Sequence, residues 1–397
     1  MKRILYLSYY FPPWSRPGVK RGPRLVGWLR ERGYDLLVVT KERGAKGVIS
    51  LPSPEPIGPG EGVKKGGRFF YRLLKPILFP DTKLLWSILN YPRLKELIRE
   101  RQIDLLIASA PPFSSLFCTH LLSLTTGKPY IVDLRDPWVD TPLLYESNLL
   151  GWLHRWGERR SLSRARLIIT INDRITKNLR ERYPGLKVET VLHGFEPDDF
   201  RGLKPKRGDK FRIGWVGTLT KRRTPRFILE ALSQMKDWNW ELILVGRKWI
   251  DVVGLVAKYG LKEKVKLIPE VDYPEALRLM ATADLLWFMV GRGRGEQFVS
   301  TSKLSDYLGT GRPILATIPD CAAKDLLKGL SGVRITEPDD VKGIQKELRE
   351  LYRLWERKRL PHLLTEEIAP YRMDRVAQRL TEHLLELTLK PSRHPLH

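Results

Sequence analysis

The chain has two cysteines in 397 residues, Cys118 and Cys321. Two thiols cannot build a disulfide framework or a structural zinc site, and a reducing, cytoplasmic compartment fits. No apolar window reaches a membrane-spanning length. The opening run Ile4-Leu5-Tyr6-Leu7 is too short for a signal peptide and reads as a first core strand. Repeats and low-complexity tracts are missing. So are the GxGxxG dinucleotide fingerprint after the first strand and the RRM, KH, zinc-finger and helix-turn-helix patterns. Their absence argues against nucleic acid as the partner. No metal-ligand cluster is visible, so neither a metal nor a cofactor is expected. Acid is scarce: 45 Asp and Glu face 70 Lys and Arg, a formal charge of +25. Residues 1–200 hold 33 basic and 20 acidic residues, and residues 201–397 hold 37 and 25, so the excess is no basic tail. Such a chain expects anionic partners: phosphates, an anionic membrane surface, or nucleic acid.

What is present is alternation. Apolar, β-branched runs at 3–8, 34–40, 103–109, 129–134, 166–171 and 187–192 read as strands, with helical patterns around 21–32, 86–101, 114–126, 148–163 and 173–182. A polar, basic patch from Arg201 to Lys210 interrupts the pattern. Strands follow at 211–216, 240–246, 264–268, 284–289, 313–317 and 332–336. Helices lie near 223–235, 250–259, 273–282, 302–309, 321–328 and 340–358. The expected fold is α/β: two doubly wound parallel sheets. The length also favours two domains, 1–200 and 201–370. Residues 371–397 carry a helix that can cap either lobe, placed here as packing back on the N-terminal one. Residues 41–66, rich in Gly, Pro and Lys, read as a mobile loop.

Four segments at strand ends carry chemistry. In Ser302-Lys303-Leu304-Ser305-Asp306-Tyr307-Leu308-Gly309, a lysine and an acid three apart share a helix face. Gly309 and Gly311 stop that helix before Arg312-Pro313 and an apolar strand. Lys303 suits a phosphate and Asp306 a sugar hydroxyl, although such pairs are also common on surfaces. Gly18, followed by Lys20 and Arg21, allows close backbone approach to an anion at a helix start. Asp133-Leu134-Arg135-Asp136-Pro137-Trp138 follows the strand near 130; its charges need pairing or a function, and a structural Arg–Asp network competes. Gly217-Thr218-Leu219-Thr220-Lys221-Arg222-Arg223 ends another strand in a basic turn that can cradle a diphosphate, with Arg222 the first candidate.

The order Lys303, Asp306, Tyr307-Leu308, small residues and Gly311-Arg312-Pro313-Ile314-Leu315 resembles the donor-site signature of the family 4 glycosyltransferases, which usually carry Glu at the position of Asp306. Phe11-Pro12-Pro13 with Gly18 and Arg21 resembles the family's N-terminal loop. Arg135-Asp136-Pro137-Trp138 resembles an element of its bacterial polysaccharide-making branch, and Gly217-Thr218-Leu219 the start of its second lobe. The resemblance runs from Tyr9 to about Lys328. It implies a GT-B-like fold of two Rossmann-like lobes with an interlobe cleft. It also implies a nucleotide-sugar donor, a glycan or polyprenyl-linked acceptor, and retention at the anomeric carbon. Gly18, Arg21, Gly217, Thr218, Arg222, Glu270, Lys303 and Asp306 would bind the donor. Asp136, Arg135 and Lys303 would be catalytic, Asp136 by contact with sugar or acceptor and Lys303 by stabilising the departing pyrophosphate. Other branches place a histidine where Arg135 stands; arginine cannot readily act as a base. Many members separate two glutamates by seven residues. That spacing back from Asp306 reaches Phe298, and Glu296 is out of register.

Residues 64–83 place Phe70, Leu73, Leu74, Ile77 and Leu78 on one side of a helical wheel and Lys65, Arg68, Arg72 and Lys75 on the other. That pattern suits an anionic leaflet or a surface helix packed on its own lobe. With the resemblance, it implies a peripheral place at the inner face of the plasma membrane. Gly291-Arg292-Gly293-Arg294-Gly295 reads as a flexible basic loop on the donor side. In Glu270-Val271-Asp272-Tyr273, Asp272 alone would serve as a helix cap.

Overall fold

Strands buried on both faces need helices above and below, and the chain supplies one after nearly every strand. The structure, a computed structural model, describes residues 2–12, 20–43, 47–53, 79–140, 151–203 and 208–389, the last five by backbone alone. The chain divides into two compact units, one of Met1–Leu192 with Ala377–His397 and one of His193–Val376.

The first unit holds a seven-stranded sheet in the order β3-β2-β1-β4-β5-β6-β7. Its strands are β1 (Arg3–Leu7), β2 (Asp35–Thr40), β3 (Val48–Ser50), β4 (Leu105–Ala110), β5 (Tyr130–Leu134), β6 (Leu167–Thr170) and β7 (Val188–Thr190). Every pairing is parallel. Between and beside them lie α1 (Arg21–Glu31), α2 (Leu84–Glu100), α3 (Ser114–Thr126), α4 (Gly151–Leu162) and α5 (Asp173–Arg182).

The second unit is a six-stranded parallel sheet, β10-β9-β8-β11-β12-β13. Its strands are β8 (Phe211–Val216), β9 (Trp240–Val245), β10 (Val265–Ile268), β11 (Leu285–Met289), β12 (Ile314–Thr317) and β13 (Val333–Thr336). The helices are α6 (Arg226–Ser233), α7 (Val252–Lys258), α8 (Tyr273–Thr282), α9 (Ser302–Gly309), α10 (Ala322–Leu327), α11 (Val341–Glu356) and α12 (Thr365–Ile368). The last described element is α13 (Met373–Leu389), whose residues from Ala377 belong to the first unit.

Both strand orders reverse once, between β1 and β4 and between β8 and β11. Such switch points leave a crevice at the carboxyl ends of the strands. In the second unit Trp215, Trp240 and Trp287 form a core with α6 and α11, while Phe288, Leu304 and Tyr307 pack on the other face. The buried indoles are satisfied: Trp240 Nε1 donates to the Met235 carbonyl at 2.6 Å and Trp287 Nε1 to Thr317 Oγ1 at 3.0 Å.

The α/β class and the strands expected from sequence are found. One expectation fails. The segment 41–66, read as loop, contains β3, whose Val48–Ser50 pair in parallel with Val38–Thr40. Trp86 Nε1 reaches back to the Leu51 carbonyl at 3.2 Å and secures this edge. Three residues are too few for a periodicity to register. Gly18 and residues 64–78 lie outside the described residues.

Helix starts follow their side chains. Asn172 accepts from the Ile175 amide at 3.0 Å at α5, and Asp272 from the Glu275 amide at 2.9 Å at α8. Asn172→Ala should lower stability by about 1 kcal/mol, measured by urea unfolding, and Asn172→Ser should restore most of it.

Candidate functional site

In the second unit the switch point is built on two glycines. Gly217 follows β8 with φ 153°, and a Cβ there would stand 2.1 Å from Lys303 Nζ. Gly291 follows β11, and a Cβ there would stand 2.0 Å from the Arg222 carbonyl oxygen. Only glycine leaves room for the ammonium at the first position and for the basic turn at the second. Thr220 closes that turn, its amide donating to the Arg223 carbonyl and its hydroxyl accepting from the Arg223 amide, each at 3.1 Å.

Lys303 sits in the first turn of α9 with Nζ 4.4 Å from the centroid of the Trp215 ring. No carboxylate pairs with it among the described residues. The residue is half-buried, and its ammonium end has exchanged water for an indole face and a glycine backbone. Desolvation, reinforced by the charge of Arg223 and opposed by Asp306, brings its pKa down to about 7. Nearby demands are also unmet. The N-cap residue of α9, Thr301, makes no side-chain cap, and its buried Oγ1 has no partner. Glu296 is buried, its Oε1 3.9 Å from Arg222 Nη1 and its Oε2 without a partner. Burial raises the Glu296 pKa, against Arg223 and Arg222. An unpaired cation, an uncapped helix start and a desolvated acid thus lie together at the second unit's switch point.

Asp306 lies away from Lys303's ring contact. The Tyr273 hydroxyl is 3.0 Å from Asp306 Oδ1 and 2.9 Å from Asp199 Oδ2, so its one hydrogen serves one carboxylate at a time. Glu270 pairs with Arg247 at 2.5 Å, both partly exposed. Thr218 is half-buried. In the loop 291–295, Arg292 is committed to Asp339 at 3.0 Å and Glu337 at 2.8 Å. Among the described residues no three His, Cys, Asp or Glu are grouped to hold a metal ion.

In the first unit two of the expected site residues are bonded to the protein itself. Arg21, expected to bind the donor, is buried: Nε donates to Asp133 Oδ1 at 2.8 Å and Nη1 to the Leu192 carbonyl at 2.7 Å, while its buried Nη2 has no partner. A guanidinium so enclosed needs a buried counter-ion, and Asp133 provides it. Arg135, expected to be catalytic, instead donates to backbone: Nε to the Ala110 carbonyl at 3.2 Å and Nη2 to that of Pro111 at 2.6 Å. It ties the carboxyl end of β5 to the loop after β4. Asp136, the next residue, is exposed. Sequence reasoning ranked Arg222 above Arg223, yet Arg223 is the one whose charge reaches both Lys303 and Glu296. Glu296, set aside for its register, and Tyr273 were passed over. Their only signal was proximity in the fold.

Residues 20–194 match the model of the glycosyl transferase 4-like domain. No curated protein sequence matches the chain. Among solved structures, sucrose-phosphate synthase from Thermosynechococcus elongatus superposes with TM-score 0.71 at 13% identity, over 98% of this chain and 100% of that one. A glycosyltransferase from Rickettsia africae gives 0.69 at 12% identity, covering 98% and 99%. Anabaena HepE in complex with UDP-glucose gives 0.67 at 15% identity, covering 97% and 100%. The chain has the two-sheet GT-B fold of these structures, and its residues 20–194 carry the likeness to the glycosyl transferase 4-like domain.

Two outcomes follow from this geometry. Asp133→Ala strands the Arg21 guanidinium and should cost about 3–5 kcal/mol in chemical denaturation, while the paired change Arg21→Met with Asp133→Leu recovers most of it. A buried lysine titrating near 7, against about 10.4 when unfolded, leaves the unfolded chain with more protons between those values. Stability from this group therefore rises with pH across that window, and Lys303→Met should flatten the rise, read from melting temperatures against pH.

Proposed function

We propose that the protein transfers a sugar from a nucleotide-sugar to a glycan or polyprenyl-linked acceptor, with retention, using its own cations where other transferases use a metal. The observation that carries the proposal is Lys303, a desolvated cation with no paired carboxylate at an uncapped helix start. A diphosphate supplies the missing negative charge. Arg223 and Arg222 approach from the basic turn, and the N-terminal amides of α9 complete the cradle. The sugar's C1–O bond to the distal phosphate breaks, and its electron pair passes to the phosphate oxygen. Lys303 stabilises that developing charge. The acceptor hydroxyl oxygen forms the new bond to C1 on the face from which the phosphate leaves, and its proton passes to the departing phosphate oxygen. Glu296 then stands as the acid beside the transferred sugar. Asp306, oriented by Tyr273, faces the ribose, and Glu270 lies toward the base. Asp136, exposed at its strand end, is kept for the acceptor. The domain match and the UDP-glucose complex of HepE support the donor class. The arginine-bearing motif at 135–138 supports the surface-polysaccharide branch and with it a cytoplasmic place of work.

UDP-glucose, screened beside GDP- and ADP-sugars, should raise the melting temperature in the presence of a chelator. A strict requirement for a divalent ion would remove the metal-free reading. Lys303→Ala should weaken nucleoside diphosphate binding by ~1.5–3 kcal/mol and leave free nucleoside binding almost unchanged. Affinity for a nucleotide-sugar, whose phosphates do not titrate near neutrality, should fall by up to ~tenfold per pH unit above about 7, because binding must then take up a proton at Lys303.

A further inference from the structure

We infer that the outer face of α4, with the neighbouring faces of α3 and α2, is a docking surface for an anionic lipid membrane. The inference stands on the first unit alone and does not require the transfer reaction. Helix α4 reads Gly-Trp-Leu-His-Arg-Trp-Gly-Glu-Arg-Arg-Ser-Leu. Its solvent face carries Trp152 and Trp156, one turn apart and 63% and 50% exposed. Arg155, Arg159, Arg160 and the following Arg164 are exposed with them, and none forms an ion pair among the described residues. The helix's one acid, Glu158, is turned inward and fully buried, bonded to Arg182 at 2.6 Å and Tyr183 at 2.7 Å. The face presented to water is thus tryptophan and arginine with no negative charge.

The apolar surface continues beyond α4. Trp156 stands 6.4 Å, ring to ring, from both Phe79 and Phe117. One and two turns further along α3 are the exposed Leu121 and Leu124. On α2, which packs against α3, Leu85, Ile88 and Leu89 are 42%, 54% and 62% exposed. Tyr91 ties the two helices, its hydroxyl 2.7 Å from Thr125 Oγ1. Farther along α2 the exposed face changes character, and Arg93 pairs with Glu96 and Glu100. Large apolar side chains are therefore gathered at one end of α2.

An apolar band this broad on a water-facing surface marks an interaction site. Tryptophan suits the headgroup level of a bilayer, and arginines without counter-ions suit an anionic leaflet. A protein partner would need only the apolar band. The unpaired arginines select an anionic one, and the leucines and isoleucine select a lipid interior over a polynucleotide.

The full chain is sedimented with vesicles of phosphatidylcholine alone and of phosphatidylcholine with phosphatidylglycerol, at low and at high salt. The expected result is binding to the anionic vesicles, weakened but not abolished by salt. Arg155→Gln, Arg159→Gln and Arg160→Gln together should lower partitioning at low salt by ~100-fold. Trp152→Ser, at an exposed site that tolerates the change, should remove most of the salt-resistant part. In both variants the melting shift with UDP-glucose should match that of wild type, which reports folding apart from docking. Wild type that ignores anionic vesicles overturns the inference. So does a triple variant that binds as well as wild type, which would move docking to another segment such as 64–79. Tighter binding to single-stranded RNA than to vesicles, lost in the same variants, would make this a nucleic-acid face instead. Donor hydrolysis without vesicles reads the transfer proposal separately.

Discussion

Everything at the second switch point depends on a positive charge held out of water without a partner. Lys303 lies against Trp215 and over Gly217, and burial brings its pKa down to about 7. Desolvation of a lone ammonium is unfavourable, and the surrounding chain tolerates it by close packing. Gly217 must lack a side chain, and Gly291 must let the Arg222 carbonyl approach. The Trp215 ring offers a cation–π contact in place of a carboxylate. A lysine in this state can gain much from an arriving phosphate, because the cost of removing its water has already been met in folding.

The two switch points handle charge in opposite ways. In the first unit Arg21 and Asp133 neutralise each other in the interior, and Arg135 is taken up by backbone carbonyls. These residues hold β1, β4 and β5 in place at their carboxyl ends. In the second unit Lys303, Arg223 and Glu296 stay near one another without mutual satisfaction. The first arrangement leaves one buried nitrogen, Nη2 of Arg21, without a partner. The second can accept a ligand that carries charge of its own.

Much of the fold was legible because strands buried on both faces leave continuous apolar runs, and amphipathic helices leave a 3.6-residue period. The edge strand β3 was not, since three residues beside Gly and Pro carry no period. The site was legible in its parts but not in its pairings. The motif 133–138 correctly suggested an Arg–Asp network, yet Asp133's partner is Arg21, 112 residues away. The i,i+3 spacing of Lys303 and Asp306 was sound, but the carboxylate meets Tyr273 from α8. Glu296 seemed misplaced because register along a sequence says little about a residue held by a left-handed Gly295 and a short turn. Long-range contacts of this kind are fixed by the sheet, which no local window contains.

The last helix has a bearing on how the molecule is made. Ala377, Leu380 and Leu384 of α13 are buried and belong to the first unit, although the whole second unit separates them from it in sequence. During synthesis the seven-stranded sheet is made before the second unit, and α13, which belongs with that sheet, is made after it. The second unit, continuous from His193 to Val376, can close while the ribosome is still adding α13. The first unit's segments are thus all present only after the second unit has been made.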